Sequence, residues 1–583
     1  MTNAEIAAAL SELGTLYELD GAVRYRVNAY KEAARVIRQS PISVEELARA
    51  GRATDLPGVG KTLQEKIVTL LETGAIPSAE KLKAKFPASL VEVTRLPGVG
   101  AKTARRLFDE LGIATLEDLR AAAEAERIRN VRGLGEKFEE SVLAALDRLS
   151  EEGAPGRVLL SHVLPVALEL AEALRENPAC DAVTIAGSAR RMTETCKDID
   201  LIATATDPVA LSSALVEHPL AAQASSARES GGKIVTHTGI SVDLRIVPPE
   251  AYGNLLQHFT GSAAHNIALR ERAVKMGLSV SEHGIADVET GDVARYRTEE
   301  EIYERLGLAY IEPELRENTG EIGAAADGEL PELVERTDIR GDLHCHTTLS
   351  DGRNSLEQMA EAARARGYAY LAVTDHSASH GFGNHVTREE LAKRIEEIRA
   401  LNANLGTKRF RVLAGSEVNI HTDGSLDYDD ELLAELDWVI ASIHTSFRMK
   451  PKELTARAVA ACEHPLVDCI GHLTGRMIGR REPYDIDVEA VAEAAARTGT
   501  MLEINGNPNR RDLNERNARL AAGIGAMICV NTDAHGTDTL TNIVYGVATA
   551  RRAWLTADQV ANTRSWRDFS RLRKRTRANQ GLQ

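Results

Sequence analysis

Apolar positions in the first 150 residues recur at helical spacing. Three stretches share one pattern: apolar, any residue, glycine, apolar, glycine, then a new helical period. They are 56–67 (LPGVGKTLQEKI), 96–107 (LPGVGAKTARRL) and, less closely, 131–142 (VRGLGEKFEESV). Paired glycines allow a tight hairpin and leave backbone N–H groups at the start of the next helix pointing outward. Such a turn grips one phosphate without reading bases. Gly58 and Gly60, with Gly98 and Gly100, are the candidate positions. The GVGKT of the first repeat is not a P-loop, because that motif needs glycine where this chain has Asp55.

From 151 to 250 the rhythm changes to short β-branched and apolar runs at 182–188, 198–205 and 240–247, an α+β segment. Residues 251–316 mix helix and short strand. The stretch 317–337 is polar and lacks a long apolar period, so it reads as a linker. Beyond it, apolar runs at 341–346, 370–375, 410–417, 437–444, 467–472, 500–506 and 526–535 alternate with helical patterns. That alternation predicts a parallel sheet closed or nearly closed into a barrel, with its chemistry at the C-terminal strand ends.

A chain of 583 residues, 43% hydrophobic, has room for three to five domains. No apolar run reaches the roughly 18 residues of a membrane span. The first residues carry acids and no basic cluster, so they read as an amphipathic helix and not as a signal peptide. Six cysteines without a CxxC pair point to reduced thiols in the cytoplasm. The net charge of −16 taken alone argues against nucleic acid, but it is unevenly placed. Residues 1–150 hold 22 basic and 22 acidic side chains, and the remainder 48 against 64. Local cationic surfaces are enough to face phosphate.

The first chemical constellation begins at Gly187-Ser188, where a predicted strand gives way to a basic turn. Asp198 and Asp200 then lie two apart on a strand, pointing to one face while Ile199 and Leu201 face the core. Asp243 lies in a second alternating run. Three carboxylates so placed can hold two divalent cations for in-line phosphoryl transfer, with Mg2+ or Mn2+ as the suited ions.

The second constellation gathers at the barrel strand ends: His344, His346, Asp351, His376, Glu417, His444, His472, Asp533 and His535. Nine donors without a thiolate suit two or three divalent ions, Mn2+, Zn2+ or Fe2+. Such ions serve phosphoester hydrolysis. Cys345 should turn away by strand alternation, and His380, His385, His421 and His464 read as ordinary rim residues. The basic tail 564–580 is either a DNA contact or a solvated helix face.

These motifs carry a resemblance. GSARRMTETCKDIDLI and ISVDLRIVPPEAYGNLLQHFTGSAAHNIALRERA resemble family X DNA polymerases, as do residues 19–37 and the first hairpin repeat. GDLHCHTTLSDG, TDHS, GSEVNI, SIHTS, GHLTGR and NTDAH resemble the polymerase and histidinol phosphatase (PHP) domain. A chain with both is similar to the bacterial-type family X polymerases. The resemblance implies a multidomain fold. Residues 1–85 form an eight-kilodalton-like helical domain and 86–150 a fingers-like domain, each with a helix-hairpin-helix. An α+β nucleotidyltransferase palm follows at 151–250, a thumb at 251–316, and a (β/α)7 distorted TIM-like PHP barrel at 338–575.

The implied activity is template-directed gap-filling DNA synthesis in repair, on gapped or primed DNA with deoxynucleoside triphosphates, by a monomer. The barrel would add a Mn2+-dependent 3′–5′ exonuclease and processing of abasic sites or 3′ ends. Asp198 and Asp200 would bind the palm metals, and Asp243 would help activate the primer hydroxyl. Ser188 and Arg191 would meet the triphosphate. Phe259, Gly261 and Asn266 would line the nucleotide pocket, with Arg270 near the template. Lys66, read as lying at a helix N-terminus, would be either the Schiff-base nucleophile of a 5′-deoxyribose phosphate lyase or a phosphate contact. The chain departs from the family pattern at Met192 and Lys197, where glycines are frequent, and at His258, where tyrosine is. The competing readings are a small-molecule phosphatase and an inactive DNA-binding scaffold.

Overall fold

A capping box between Thr2 and Glu5 starts helix Asn3–Leu19. In the computed structural model this helix packs on Arg24–Gln39, joining Leu10, Leu13, Tyr17 and Tyr30 in one helical core. The structure describes the chain except residues 41, 95, 97, 152–155, 381–384, 406–408 and 575–583. The side chains of 39, 144 and 147–151 are also outside the described set. One compact unit comprises Met1–Ala189 with Thr195–Phe259, and a second comprises Arg190–Glu194 with Thr260–Gln583.

In the first unit the three glycine hairpins share one shape. Gly58, Gly98 and Gly133 have φ of +79°, +87° and +83°, a region open to glycine and costly to other residues. Gly60 and Gly100 are the extended residues just before helices Lys61–Thr73 and Ala101–Leu111. The third hairpin, the least obvious in sequence, leads into Glu136–Glu151 in the same way, burying Val131 and Leu134.

After the hairpins comes a five-stranded sheet in the order Cys180–Ile185, Asp198–Ala205, Ser241–Ile246, Gly231–Thr236, Ala221–Ala224. The second and third of these run parallel and the other neighbours antiparallel. Ile199, Leu201, Val242 and Leu244 are buried beneath them.

In the second unit, helix Ala263–Lys275 packs with Glu299–Arg305 and a small three-stranded sheet around Leu269, Ile302 and Tyr303. The expected linker is structured. It contains helix Glu321–Asp327, and Ala325 and Leu333 join this small core. Glu321 is buried because it caps the turn before it, accepting from Asn318 N and Thr319 N, and bonds His265. So short an element leaves no long apolar period to detect.

The barrel strands are Gly341–Asp342, Tyr370–Val373, Arg411–Asn419, Trp438–Ser442, Cys469–Ile470, Met501–Asn505 and Ile528–Asn531, all parallel and in chain order. A parallel bridge between Cys345 and Ala534 brings the two edges together. At the opposite end from the site, Tyr370, Trp438 and Phe569 form an aromatic plug. Phe569 stacks on Tyr370 at 5.0 Å and is carried by helix Trp566–Leu572. The described part of the basic tail holds a helix packed through Phe569 with Arg567 and Arg571 exposed on a solvated face, while 575–580 lie outside the described residues. No helix among the described residues is long and apolar enough to cross a membrane.

Candidate functional site

In the first unit the parallel register pairs Asp200 with Asp243, and Asp198 with Ser241 one step back on the same face. Side chains alternate along a strand, so all three carboxylates project together. Gly187 fixes the approach of the turn to this face. Its φ is +63°, and a Cβ there would stand 2.3 Å from Asp200 Oδ2. Only glycine lets the Ser188 backbone come so close. Asp243 Oδ2 pairs with Lys233 Nζ at 3.0 Å and Arg245 Nη2 at 3.1 Å, and the Arg245 guanidinium lies 4.4 Å from the Phe259 ring centre. Lys66 is six residues into helix Lys61–Thr73, where its Nζ donates to Ser78 Oγ at 2.9 Å. The expectation that it stands at the helix N-terminus is therefore corrected.

Of the other positions expected to meet nucleotide, Ser188 and Phe259 belong to the first unit and Arg191, Gly261, Asn266 and Arg270 to the second. Within the second, Arg191 donates to Thr260 O and Glu317 Oε1, both at 2.9 Å. A Cβ on Gly261 would lie 2.6 Å from Asn266 Oδ1, so the glycine admits that amide. Asn266 and Arg270 share helix Ala263–Lys275, capped by Ser262 Oγ accepting from His265 N. Arg190 pairs with Glu299, which also meets buried Arg316. Burial opposes ionisation of Glu299, but Arg316 and Arg190 outweigh it and hold the carboxyl below its usual range.

At the barrel mouth the structure brings all nine expected side chains together. Glu417 is the hub. Its Oε2 lies 2.9 Å from His376 Nδ1 and 3.3 Å from His344 Nε2, and its Oε1 lies 2.9 Å from His472 Nε2 and 3.1 Å from His444 Nε2. Asp533 Oδ1 is 3.1 Å from His346 Nε2, and Asp351 Oδ2 is 3.3 Å from His535 Nε2. Three overlapping groups have donor atoms within 4.8 Å of one another: His346, Asp351, His376 and His535; His344, His346 and Asp533; His376, Glu417 and His444. His472 and Asp533 hold positive φ, +27° and +53°, a local strain at the strand ends.

The electrostatics are those of a cluster made for cations. Burial opposes ionisation of Glu417 and Asp533, yet the surrounding histidines hold both carboxyls well below their usual range. Burial pulls His346 and His444 down to about 4. Burial would also lower His535, but Asp351 and Asp533 push it up to about 9. The residues fit divalent ions on a direct test. Nε2 of His344, Nδ1 of His346 and of His472, and both oxygens of Glu417 are buried and form no hydrogen bond among the described residues. Such orphaned donors are costly without a partner.

The sequence reading missed Glu503, on the sixth strand. It accepts from His344 Nδ1 at 2.7 Å and from the backbone N of His472 at 2.8 Å. Accepting the Nδ1 proton leaves the His344 Nε2 lone pair for a metal. The available signal was an acid set among Met501, Leu502 and Ile504 in a fully buried strand, which demands a partner. Asp375 does similar service, accepting from Thr347 N, Thr347 Oγ1 and Ser350 Oγ at 2.7 Å each just ahead of Asp351. Arg510 Nε stands 3.7 Å from Asp533 Oδ2. His380 is not an ordinary rim residue: it is buried and stacked 4.4 Å from His376. His421 and His464 pair with Asp427 and Asp430. Cys345 donates its thiol to Ala372 O, away from the cluster.

A carboxylate-bearing palm and a histidine-lined barrel in one chain define a nucleotidyltransferase joined to a metal-dependent phosphoesterase. Residues 1–76 match the helix-hairpin-helix domain, 89–148 the SAM-like helix-hairpin-helix tandem, 255–317 the DNA polymerase beta thumb and 342–507 the PHP domain. The DNA polymerase/3′-5′ exonuclease PolX of Bacillus subtilis is 37% identical over 577 residues, spanning 99% of this chain and 100% of that protein. The chain belongs to that family, the bacterial family X DNA polymerases with a PHP domain. DNA polymerase lambda of Rattus norvegicus is 26% identical over 345 residues, 54% of this chain and 56% of that protein. A probable phosphatase of Syntrophotalea carbinolica is 29% identical over 231 residues, 38% of this chain and 90% of that protein.

Proposed function

We propose that the chain fills gaps in primed DNA during repair and trims 3′ ends in the same polypeptide. The observation that carries the synthetic half is the parallel register that sets Asp198, Asp200 and Asp243 on one face beside the Gly187 turn. Asp198 and Asp200 would hold Mg2+ or Mn2+, which supplies charge neutralisation for in-line transfer. Asp243 takes up the proton of the primer 3′-hydroxyl, held in place by Lys233 and Arg245. Ser188 and Arg191 bind the triphosphate. Phe259, Gly261 and Asn266 shape the nucleotide pocket, and Arg270 meets the template. Gly58, Gly60, Gly98 and Gly100 grip DNA phosphates through backbone N–H groups.

The trimming half rests on the nine barrel side chains, which would hold two or three ions, with Mn2+ the active choice. Divalent ions there supply Lewis acidity and lower the pKa of water. The chain's own contribution is to fix the donors through Glu503, and to set Arg510 beside Asp533 where a phosphodiester anion needs a cation. Lys66 is proposed as the lyase nucleophile. Borohydride trapping on a 5′-deoxyribose phosphate end should give an adduct lost in Lys66→Ala, and no adduct in the wild type means no lyase.

Primer extension on gapped DNA, with Mg2+ or Mn2+ and with or without nucleotides, tests the whole reading. Extension with nucleotides and shortening without them is expected. Phosphate release from small phosphoesters with neither DNA activity would turn the assignment to a phosphatase, and loss of all three would leave a scaffold.

A further inference from the structure

Met192, a residue with a long side chain, has a left-handed backbone, φ +54°. Glycine adopts that conformation freely, whereas a residue with a Cβ must be held there. The segment Arg190–Glu194 belongs to the second unit together with Thr260–Gln583. Within that unit its backbone is gripped by two arginines. Arg511 Nη1 donates to Met192 O at 3.0 Å, and Arg552 Nη1 donates to Arg191 O at 2.9 Å. Arg552 also meets Glu317 Oε1 at 3.0 Å, the same oxygen that accepts from Arg191 Nε at 2.9 Å. Glu194 pairs with Arg476.

Both gripping arginines come from the barrel segment. Arg511 lies in the loop after the sixth strand, and Arg552 is the last residue of helix Ile543–Arg552 after the seventh. Arg511 is 1% exposed, and no carboxylate among the described residues lies within 4.0 Å of its nitrogens. Its Nε donates to Thr549 Oγ1 at 2.8 Å. Glu194 and Glu515 attract it only from beyond contact distance, and a buried guanidinium so lightly paired is expensive to keep. Its placement is not explained by the barrel cluster, since its donors point to Thr549 and to the turn.

We propose that Arg511 and Arg552 are positioning residues for nucleotide addition. They hold the 190–194 turn in its left-handed form and so hold Arg191 ready for the triphosphate. The proposal rests on the reading above that Arg191 binds the triphosphate. It accounts for Met192 as well: with the arginines in place, the turn does not need glycine.

The test is steady-state primer extension with full-length wild type, Arg552→Ala, Arg552→Ala with Met192→Gly, and Arg191→Ala. Arg552→Ala should raise the nucleotide KM about tenfold, the population cost of a left-handed residue with a Cβ. Its kcat and nuclease rate should stay near wild type, while its melting temperature falls because Glu317 and Glu515 lose a buried partner. Met192→Gly in that background should return KM to near wild type, which a merely structural loss would not do. If Arg552→Ala proves unstable, Arg552→Lys keeps the charge beside Glu317, drops the second donor, and should give a smaller rise of the same kind. An unchanged KM in the Arg552 variants, with a raised KM in Arg191→Ala, overturns the latch. So does a raised KM that glycine does not reverse. An unchanged KM in Arg191→Ala overturns the triphosphate reading itself, and the latch with it.

Discussion

On the proposed function, the palm and the barrel mouth both set carboxylates for work on phosphate, but they solve the charge problem differently. Asp243 is 20% exposed and is balanced by the solvent-facing bases Lys233 and Arg245. The barrel instead packs buried histidines against Glu417 and Asp533, leaving donor atoms without hydrogen bonds. An open face can be completed by the incoming substrate, whose phosphates share the ions. A closed cluster must be complete beforehand, because buried charges without partners are unfavourable. On that reading the barrel is the preassembled site, and the palm is the one its substrate would finish.

The strongest way to break this contrast is to empty each site in turn. His344→Ala with His346→Ala should abolish trimming by several orders of magnitude while extension persists, because two nitrogen donors are gone and the remaining carboxylates hold a borderline ion poorly. A labelled primer with Mn2+, with and without nucleotides, reads both activities, and trimming at the wild-type rate would move the nuclease elsewhere. Asp198→Ala with Asp200→Ala should do the reverse, abolishing addition and sparing the nuclease. Joint loss in a folded protein would show that the two sites are not independent.

A smaller effect sharpens the claim of preassembly. Glu503→Gln keeps the shape but removes the charge that orients His344. Metal retention on dialysis, followed by elemental analysis, should fall about ten- to a hundredfold. Unchanged retention would demote Glu503 to a packing residue. The smallest change is expected on the palm side. Lys233→Ala removes an exposed ion pair and should shift unfolding free energy by less than about 1 kcal/mol in denaturant titration. A larger shift would mean that Asp243 depends on its bases far more than an open site should.

What the sequence made readable follows from periodicity. Seven strands could be counted because each buried run is short and separated by a helix, and eight of the nine donors close those runs, with Asp351 just beyond the first. Glu503 escaped because it acts from inside a strand, through another residue. The helix Glu321–Asp327 escaped because its burial comes from Glu321 bonding His265 and the turn before it, not from an apolar stripe. Lys66 was set too early in its helix because glycine hairpins mark where a helix starts but not which turn faces the ligand. The strain at Met192 was legible only as a missing glycine. Its support comes from Arg511 and Arg552, more than 300 residues onward, and no local pattern carries that.

The aromatic plug beneath the barrel has a spectroscopic consequence. The chain has 3 tryptophans, Trp438, Trp554 and Trp566, all after residue 337. Two of them flank Phe569 at 5.4 and 6.2 Å between ring centres. Indole emission is therefore a local reporter, responding to the barrel region and blind to the glycine hairpins and the palm sheet. An unfolding curve recorded by tryptophan fluorescence will look like one clean transition even if the hairpins and palm melt separately. Only a comparison with far-ultraviolet circular dichroism, which sees every helix, can tell whether the chain unfolds in one step or in two.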